Sequence, residues 1–161
     1  MNNKISEKSK KYLHDLLNNY SKIGRNENNG IDRVALTQAD KQGRDYFIKL
    51  LKENNFKTHI ETSGSNKLTG EWDWICLSPK KNKLPLAPIY KEAHELKVIV
   101  FNKHDLEFAQ EQAAQVGPNC HLYLQPEWSV KDKVVPMIVD FVMANPAWKV
   151  SLQTHKYLNI P

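Results

Sequence analysis

Three short loops hold most of the residues that could do chemistry: Glu61–Gly64 (ETSG), Ser78–Lys80 (SPK) and Gln125–Trp128 (QPEW). Each sets hydroxyl, amide or charged side chains beside free backbone groups, which suits a polar small molecule. Each follows a short apolar run: Thr58–Ile60, Trp72–Leu77 and Cys120–Leu124. If these runs are parallel strands, the loops leave one edge of one sheet, where open α/β sheets and α/β barrels place ligands. Glu61, Thr62 and Ser63 are the candidate pocket on the first strand. Glu61 follows His59 by two and so faces the same side, where a carboxylate beside an imidazole could steer a proton. A strand-end pair that orders a loop is the plainer account.

Other chemistries lack their signatures. Six histidines, at 14, 59, 94, 104, 121 and 155, include no pair at close ligand spacing, and C-x2-C is absent, so no zinc site is indicated. The two cysteines, Cys76 and Cys120, lie in apolar runs and read as buried free thiols in a reducing compartment. Ser63 and Ser78 have no neighbouring base, and G-x-S-x-G, G-x-G-x-x-G and Walker patterns are missing. The four tryptophans (Trp72, Trp74, Trp128, Trp148) read as packing anchors rather than a base-stacking platform, so no direct contact with nucleic acid is expected.

Alternating strands and helices must position these loops. Leu96–Phe101 (LKVIVF) is the most strand-like run, and Lys149–Gln153 is the last. Asp105 is expected to cap a helix over Leu106–Val116, with Leu106, Phe108, Ala109, Ala113 and Val116 inward. A short helix is expected after Pro88, and another over Lys131–Ala144 with Val134, Val135, Ile138, Phe141 and Val142 inward. Upstream, residues 4–21 carry a helical stripe through Ile5, Tyr12, Leu13, Leu16, Leu17 and Tyr20. Gly24–Asp32 is a turn-rich loop. Thr37-Gln38-Ala39-Asp40 reads as a capping box opening a helix over Gln38–Asn54. The fold class is α/β: a mostly parallel open sheet of five strands, preceded by two N-terminal helices.

Apolar content of 40% and charged content of 25% suit a globular chain of 161 residues. The net charge of +5 is uneven, +4 of it in residues 1–56, and reads as a lysine-rich solvated face. With no apolar leader and no run near the ~18 residues of a span, the expected location is the cytoplasm, with no membrane partner.

THIETSG, WDWICLSPK, CHLYLQPEWS and SLQTHKYLNIP, in that order over about residues 54–161, resemble 7-carboxy-7-deazaguanine synthase, a radical S-adenosylmethionine (SAM) lyase of the queuosine pathway. The resemblance implies a partial radical-SAM (β/α) barrel, with domains at 1–55 and 56–161. It implies that Ser78, Pro79 and Lys80, with Gln125, Pro126, Glu127 and Trp128, line a SAM site, and that Pro161 reaches the substrate. The complete family uses SAM, a 4Fe-4S cluster and Mg2+ to convert 6-carboxy-5,6,7,8-tetrahydropterin to 7-carboxy-7-deazaguanine. The C-x3-C-x2-C cradle of the cluster is missing here, so no cofactor is expected in this chain and no catalytic or metal-binding residue is assigned.

Leu16–Phe56 resembles the start of the zinc amidohydrolases that act on N-carbamoyl amino acids and allantoate, through Arg33, Thr37, Asp40, Arg44 and Asp45. The metal ligands of those enzymes lie downstream, in chain that is not present. The expected protein is therefore a truncated, fused synthase that is inactive alone. It would bind a SAM-like or pterin-like molecule weakly and self-associate through an open sheet edge. The alternatives are a non-catalytic binding or interaction module and, behind it, a relic of a zinc amidohydrolase.

Overall fold

The computed structural model describes residues 6–160, so the expected places of Ile5 and Pro161 lie outside it. The chain divides into two compact units, Met1–Lys57 and Thr58–Pro161.

The first unit is a pair of helices, α1 (Glu7–Ser21) and α2 (Gln38–Glu53). Ser6 Oγ caps α1 by accepting the Ser9 N–H at 3.1 Å. Thr37 Oγ1 caps α2 through the Asp40 N–H at 3.3 Å, while the Asp40 carboxylate accepts from Leu36 N–H at 3.1 Å. That return bond lands one residue upstream of where a capping box puts it. Asn55, at φ +60°, takes the left-handed turn that ends α2. The loop between the helices is closed by an antiparallel bridge from Arg25 to Ile31 and by Asn26 Oδ1, which accepts from the N–H groups of Asn28 and Gly30.

Packing inside this unit is aromatic and cationic. The Arg33 guanidinium lies 3.9 Å from the centre of the Tyr20 ring and donates to the Tyr20 and Ile23 carbonyls. Tyr20 stacks on Tyr46. Gly43 is the one buried residue of the two helices, and Leu13, Leu17 and Phe47 stay largely exposed.

The second unit is a five-stranded parallel sheet: β1 (His59–Thr62), β2 (Trp74–Leu77), β3 (Glu95–Val100), β4 (His121–Pro126) and β5 (Trp148–Val150). The strands lie side by side in chain order, so every crossover joins neighbours. The sequence places all five within two residues of these starts. Short helices α3 (Ala87–Glu92), α4 (His104–Ala113) and α5 (Lys131–Ala144) follow β2, β3 and β4, and α6 (Thr154–Tyr157) follows β5. The link from β1 to β2 has no helix. Gly64 makes it possible at φ +69°, because a Cβ there would sit 2.7 Å from Leu77 Cδ1 and 2.9 Å from Pro85 Cβ.

The register sorts side chains onto two faces. Leu77, Leu96, Leu122 and Trp148 are partners across the sheet, and Val98 pairs with Leu124. These face the helices and build the core with Ile89, Tyr90, Ala109, Val134 and Ile138. Each fully buried Leu, Ile or Val among them contributes about 1.5–3 kcal/mol. No helix among the described residues is long and apolar enough to cross a membrane.

Two expectations need correction. Asp105 does not cap α4 from outside: it sits in the first turn, and its carboxylate accepts the N–H groups of Phe101 and Asn102 upstream. Cys120 is only partly buried. It stands just before β4, where the loop still admits water.

Candidate functional site at the C-terminal sheet edge

Because all strands run parallel, the three candidate loops leave the same edge of the sheet. The first two are direct neighbours, with the Ser78 N–H donating to the Thr62 carbonyl at 2.7 Å. Thr62 Oγ1 accepts the Gly64 N–H at 3.1 Å, and Ser63 Oγ bonds Ser65 Oγ, so the ETSG loop is held by its own hydroxyls. Ser78 and Pro79 are buried, and Lys80 Nζ donates to Ser78 Oγ at 3.2 Å. The third loop lies two strands further along. Gln125 is buried on β4 opposite Ile99, and Pro126 pairs with Val100. Glu127 folds onto Ser129, whose backbone N–H and hydroxyl both donate to its carboxylate. Those bonds hold the Glu127 carboxyl below the usual range. Trp128 meets Tyr157 edge-on at 5.1 Å, with the ammonium groups of Lys131 and Lys156 over its ring at 5.2 and 5.3 Å.

The face of the sheet opposite the core is polar. Glu61, Cys76, Glu95 and His121 are register partners on it, as are His59 with Trp74 and Lys97 with Tyr123 and Lys149. The expected proximity of His59 and Glu61 does not become a pair. Glu61 reaches across β2 to Lys97 Nζ at 2.7 Å, and His59 turns its ring edge to Trp74. The indole also stacks with His94 and His121 and donates Nε1–H to Glu95 at 3.3 Å. Sequence reasoning missed this face. The signal was there in ELKVIV, where Glu95 and Lys97 alternate with Leu96 and Val98 in an otherwise apolar strand.

Metal and cluster ligation can be tested on the thiols. Cys76 leaves the polar face, where its Sγ lies 3.3 Å from Glu95 Oε1, whereas Cys120 packs against the core on the other face. Burial and the nearby Glu95 carboxylate push Cys76 up to about 12 and Cys120 up to about 11. Two protonated thiols on opposite faces do not fit an iron–sulfur cluster, which needs thiolates held together. Among the described residues no three His, Cys, Asp or Glu side chains converge as a metal site. What the edge offers is cations, hydroxyls and amides for a small polar ligand.

No family model matches the chain. A 7-carboxy-7-deazaguanine synthase of Flavobacterium psychrophilum is 66% identical over 111 residues, which cover 69% of this chain and 53% of that protein. The synthase of Synechocystis is 45% identical over 71% of this chain and 54% of its own length. The crystal structure of QueE from Escherichia coli superposes with a TM-score of 0.58 at 29% identity, covering 65% of this chain and 48% of that one. The chain thus spans about half the length of the curated relatives it matches. The similarity supports the C-terminal resemblance and the reading of the sheet as part of a radical-SAM-type barrel. The resemblance of residues 16–56 to zinc amidohydrolases finds no such support.

Proposed function

We propose that the second unit is the ligand-binding C-terminal part of a 7-carboxy-7-deazaguanine synthase fold. It supplies the far wall of the site and does not perform the radical step alone. The observation that carries this is the 66% identity to a synthase over about half of that protein's length. The parallel strand order and the polar C-terminal edge agree with it. In this reading Ser78, Pro79, Lys80, Gln125, Pro126, Glu127 and Trp128 line a SAM-like ligand, and Glu61, Thr62 and Ser63 border it; the resemblance alone assigns Pro161 to substrate binding. The cluster and Mg2+ of the complete family would have to be held elsewhere.

In the first unit Arg33 braces Tyr20, and Asp40 pairs with Arg44 at 3.3 Å. We place it as an amidohydrolase-like helical segment without hydrolytic function. The rival reading is a binding module with no catalytic past, and the charged face around Lys97 favours it.

The test is anaerobic reconstitution with iron and sulfide. The chain alone should hold no cluster and release no 5′-deoxyadenosine from SAM. Mixed with the cluster-bearing N-terminal half of the Flavobacterium synthase, it should restore turnover of 6-carboxy-5,6,7,8-tetrahydropterin. SAM cleavage by the chain alone would overturn the proposal, as would a mixed sample that never turns over.

A further inference from the structure

We infer that Asn29 is a modification site. It converts to aspartate and isoaspartate through a succinimide closed by the Gly30 nitrogen, and Asn26 restrains the step by holding that nitrogen's proton.

The chemistry starts from the sequence. Asn29 is the one asparagine of the chain that is followed by glycine. A backbone nitrogen can attack the side-chain amide carbon of the residue before it, and a side chain on the attacking residue crowds that approach. Glycine has none. In the step, a bond forms between Gly30 N and Asn29 Cγ, and the Cγ–Nδ2 bond breaks. Gly30 N gives up its proton, and the amide nitrogen departs as ammonia. Water then opens the five-membered ring at either carbonyl. One opening gives aspartate. The other gives isoaspartate, in which the main chain runs through the β-carbon. Water is the only co-reactant.

The loop combines access with restraint. Asn29 and Gly30 are exposed between α1 and α2, so water reaches the ring. Asn29 stands at φ +60°, a left-handed conformation that asparagine tolerates. Against this, the Gly30 N–H donates to Asn26 Oδ1 at 2.8 Å, which ties up the nucleophile. The same oxygen accepts the Asn28 N–H at 3.1 Å, and Asn26 Nδ2 donates to Asp32 Oδ2 at 3.1 Å. The Asn26 N–H donates to the Gly30 carbonyl at 3.0 Å, and the Asn29 N–H to the Asn26 carbonyl at 3.1 Å. Asn26 therefore grips the Asn-Gly step from both ends while the reacting amide stays in water. The side-chain bonds of this grip are exposed, so they open often and slow the attack only modestly. Once the ring closes, Gly30 has no N–H left to give to Asn26. Ring opening then adds a carboxylate to a loop that already carries Glu27 and Asp32.

The full chain should be aged in mildly alkaline buffer and sampled by trypsin, which releases residues 26–33 between Arg25 and Arg33. Mass spectrometry reads the amide lost, and methyl transfer by an isoaspartate-specific carboxyl methyltransferase reads the isoaspartate. A synthetic peptide of residues 26–33 sets the unrestrained rate. Asn29 in the full chain should convert about three- to tenfold more slowly than in that peptide, the restraint of one ordinary hydrogen bond. Asn26→Ala should bring the full chain to the peptide rate and leave the peptide itself unchanged. Asn29→Gly, which suits the positive φ, should give no product. Tyr20→Leu loosens the packing of the helix pair without touching Asn26, and should convert at the wild-type rate. An Asn29 amide that persists in both the full chain and Asn26→Ala after the peptide has converted overturns the inference. A wild-type rate equal to that of the peptide does the same, as does an acceleration in Tyr20→Leu as large as that in Asn26→Ala.

Discussion

Cys76 and Cys120 keep their protons for one dominant reason, burial, with Glu95 adding to it on both. Thiolate is the nucleophile, so both should be poor ones. At pH 8, iodoacetamide should label Cys120 about 100-fold more slowly than an unperturbed thiol, and Cys76 more slowly still. Mass spectrometry of the two cysteine peptides reads this directly, and fast labelling of Cys76 would contradict its burial. The linkage follows the same sign. These thiols are raised on folding, so their contribution is complete below the ordinary thiol pKa and fades as pH climbs from about 9 toward 11 and 12. At this scale the candidate loops were legible, because hydroxyl, amide and charge cluster there in sequence. Lys97 was not, because its partner is 36 residues away and two strands over. Alternation in one strand says which face a residue takes, not which charge waits for it on another.

The turn from β3 into α4 shows how one side chain can secure an element. Asp105 is buried, which by itself would raise its carboxyl. The Lys81 ammonium at 2.5 Å and the N–H groups of Asn102 and Phe101 outweigh that and hold it below the ordinary carboxyl range. Replacing it by Ala strands two backbone donors and a lysine, at a cost of about 2–3 kcal/mol. The loss should be seen in chemical denaturation at pH 7. It should shrink as pH falls below about 4 and through the depressed folded value, where the wild-type carboxylate is protonated too. A constant difference down to pH 2 would mean that the ion pair and its bonds are not the source. The sequence marked Asp105 as a helix starter, which is right about place and wrong about partner. Strands were readable from β-branched apolar runs, and α1, α2 and α5 from their stripes. The one-turn α6 was not, since four residues carry too little pattern to register.

The two units differ in what holds them. In Thr58–Pro161, a sheet packs one whole face on helices, and its central strands are sealed at Leu96, Val98 and Leu124. In Met1–Lys57, α1 has no buried residue and α2 has Gly43 alone. Hydrogen exchange should therefore be fast in α1 and slow in β3, with β3 approaching the global unfolding free energy and α1 far below it. Equally slow exchange throughout would refute this account of the first unit. The α/β class and the parallel sheet followed from the alternation of strand and helix patterns. The aromatic and guanidinium packing around Tyr20 did not, because nothing local says that Arg33 will lie on a ring thirteen residues earlier.

The strands stand in space in the order in which the chain makes them. A ribosome therefore delivers each strand beside a partner that already exists, and no pairing has to wait for a distant stretch of chain. The sheet can grow like a row of bricks, every course resting on the last. Each of the five strands is paired with a strand next to it in the chain, so none depends on a distant stretch to complete its ladder.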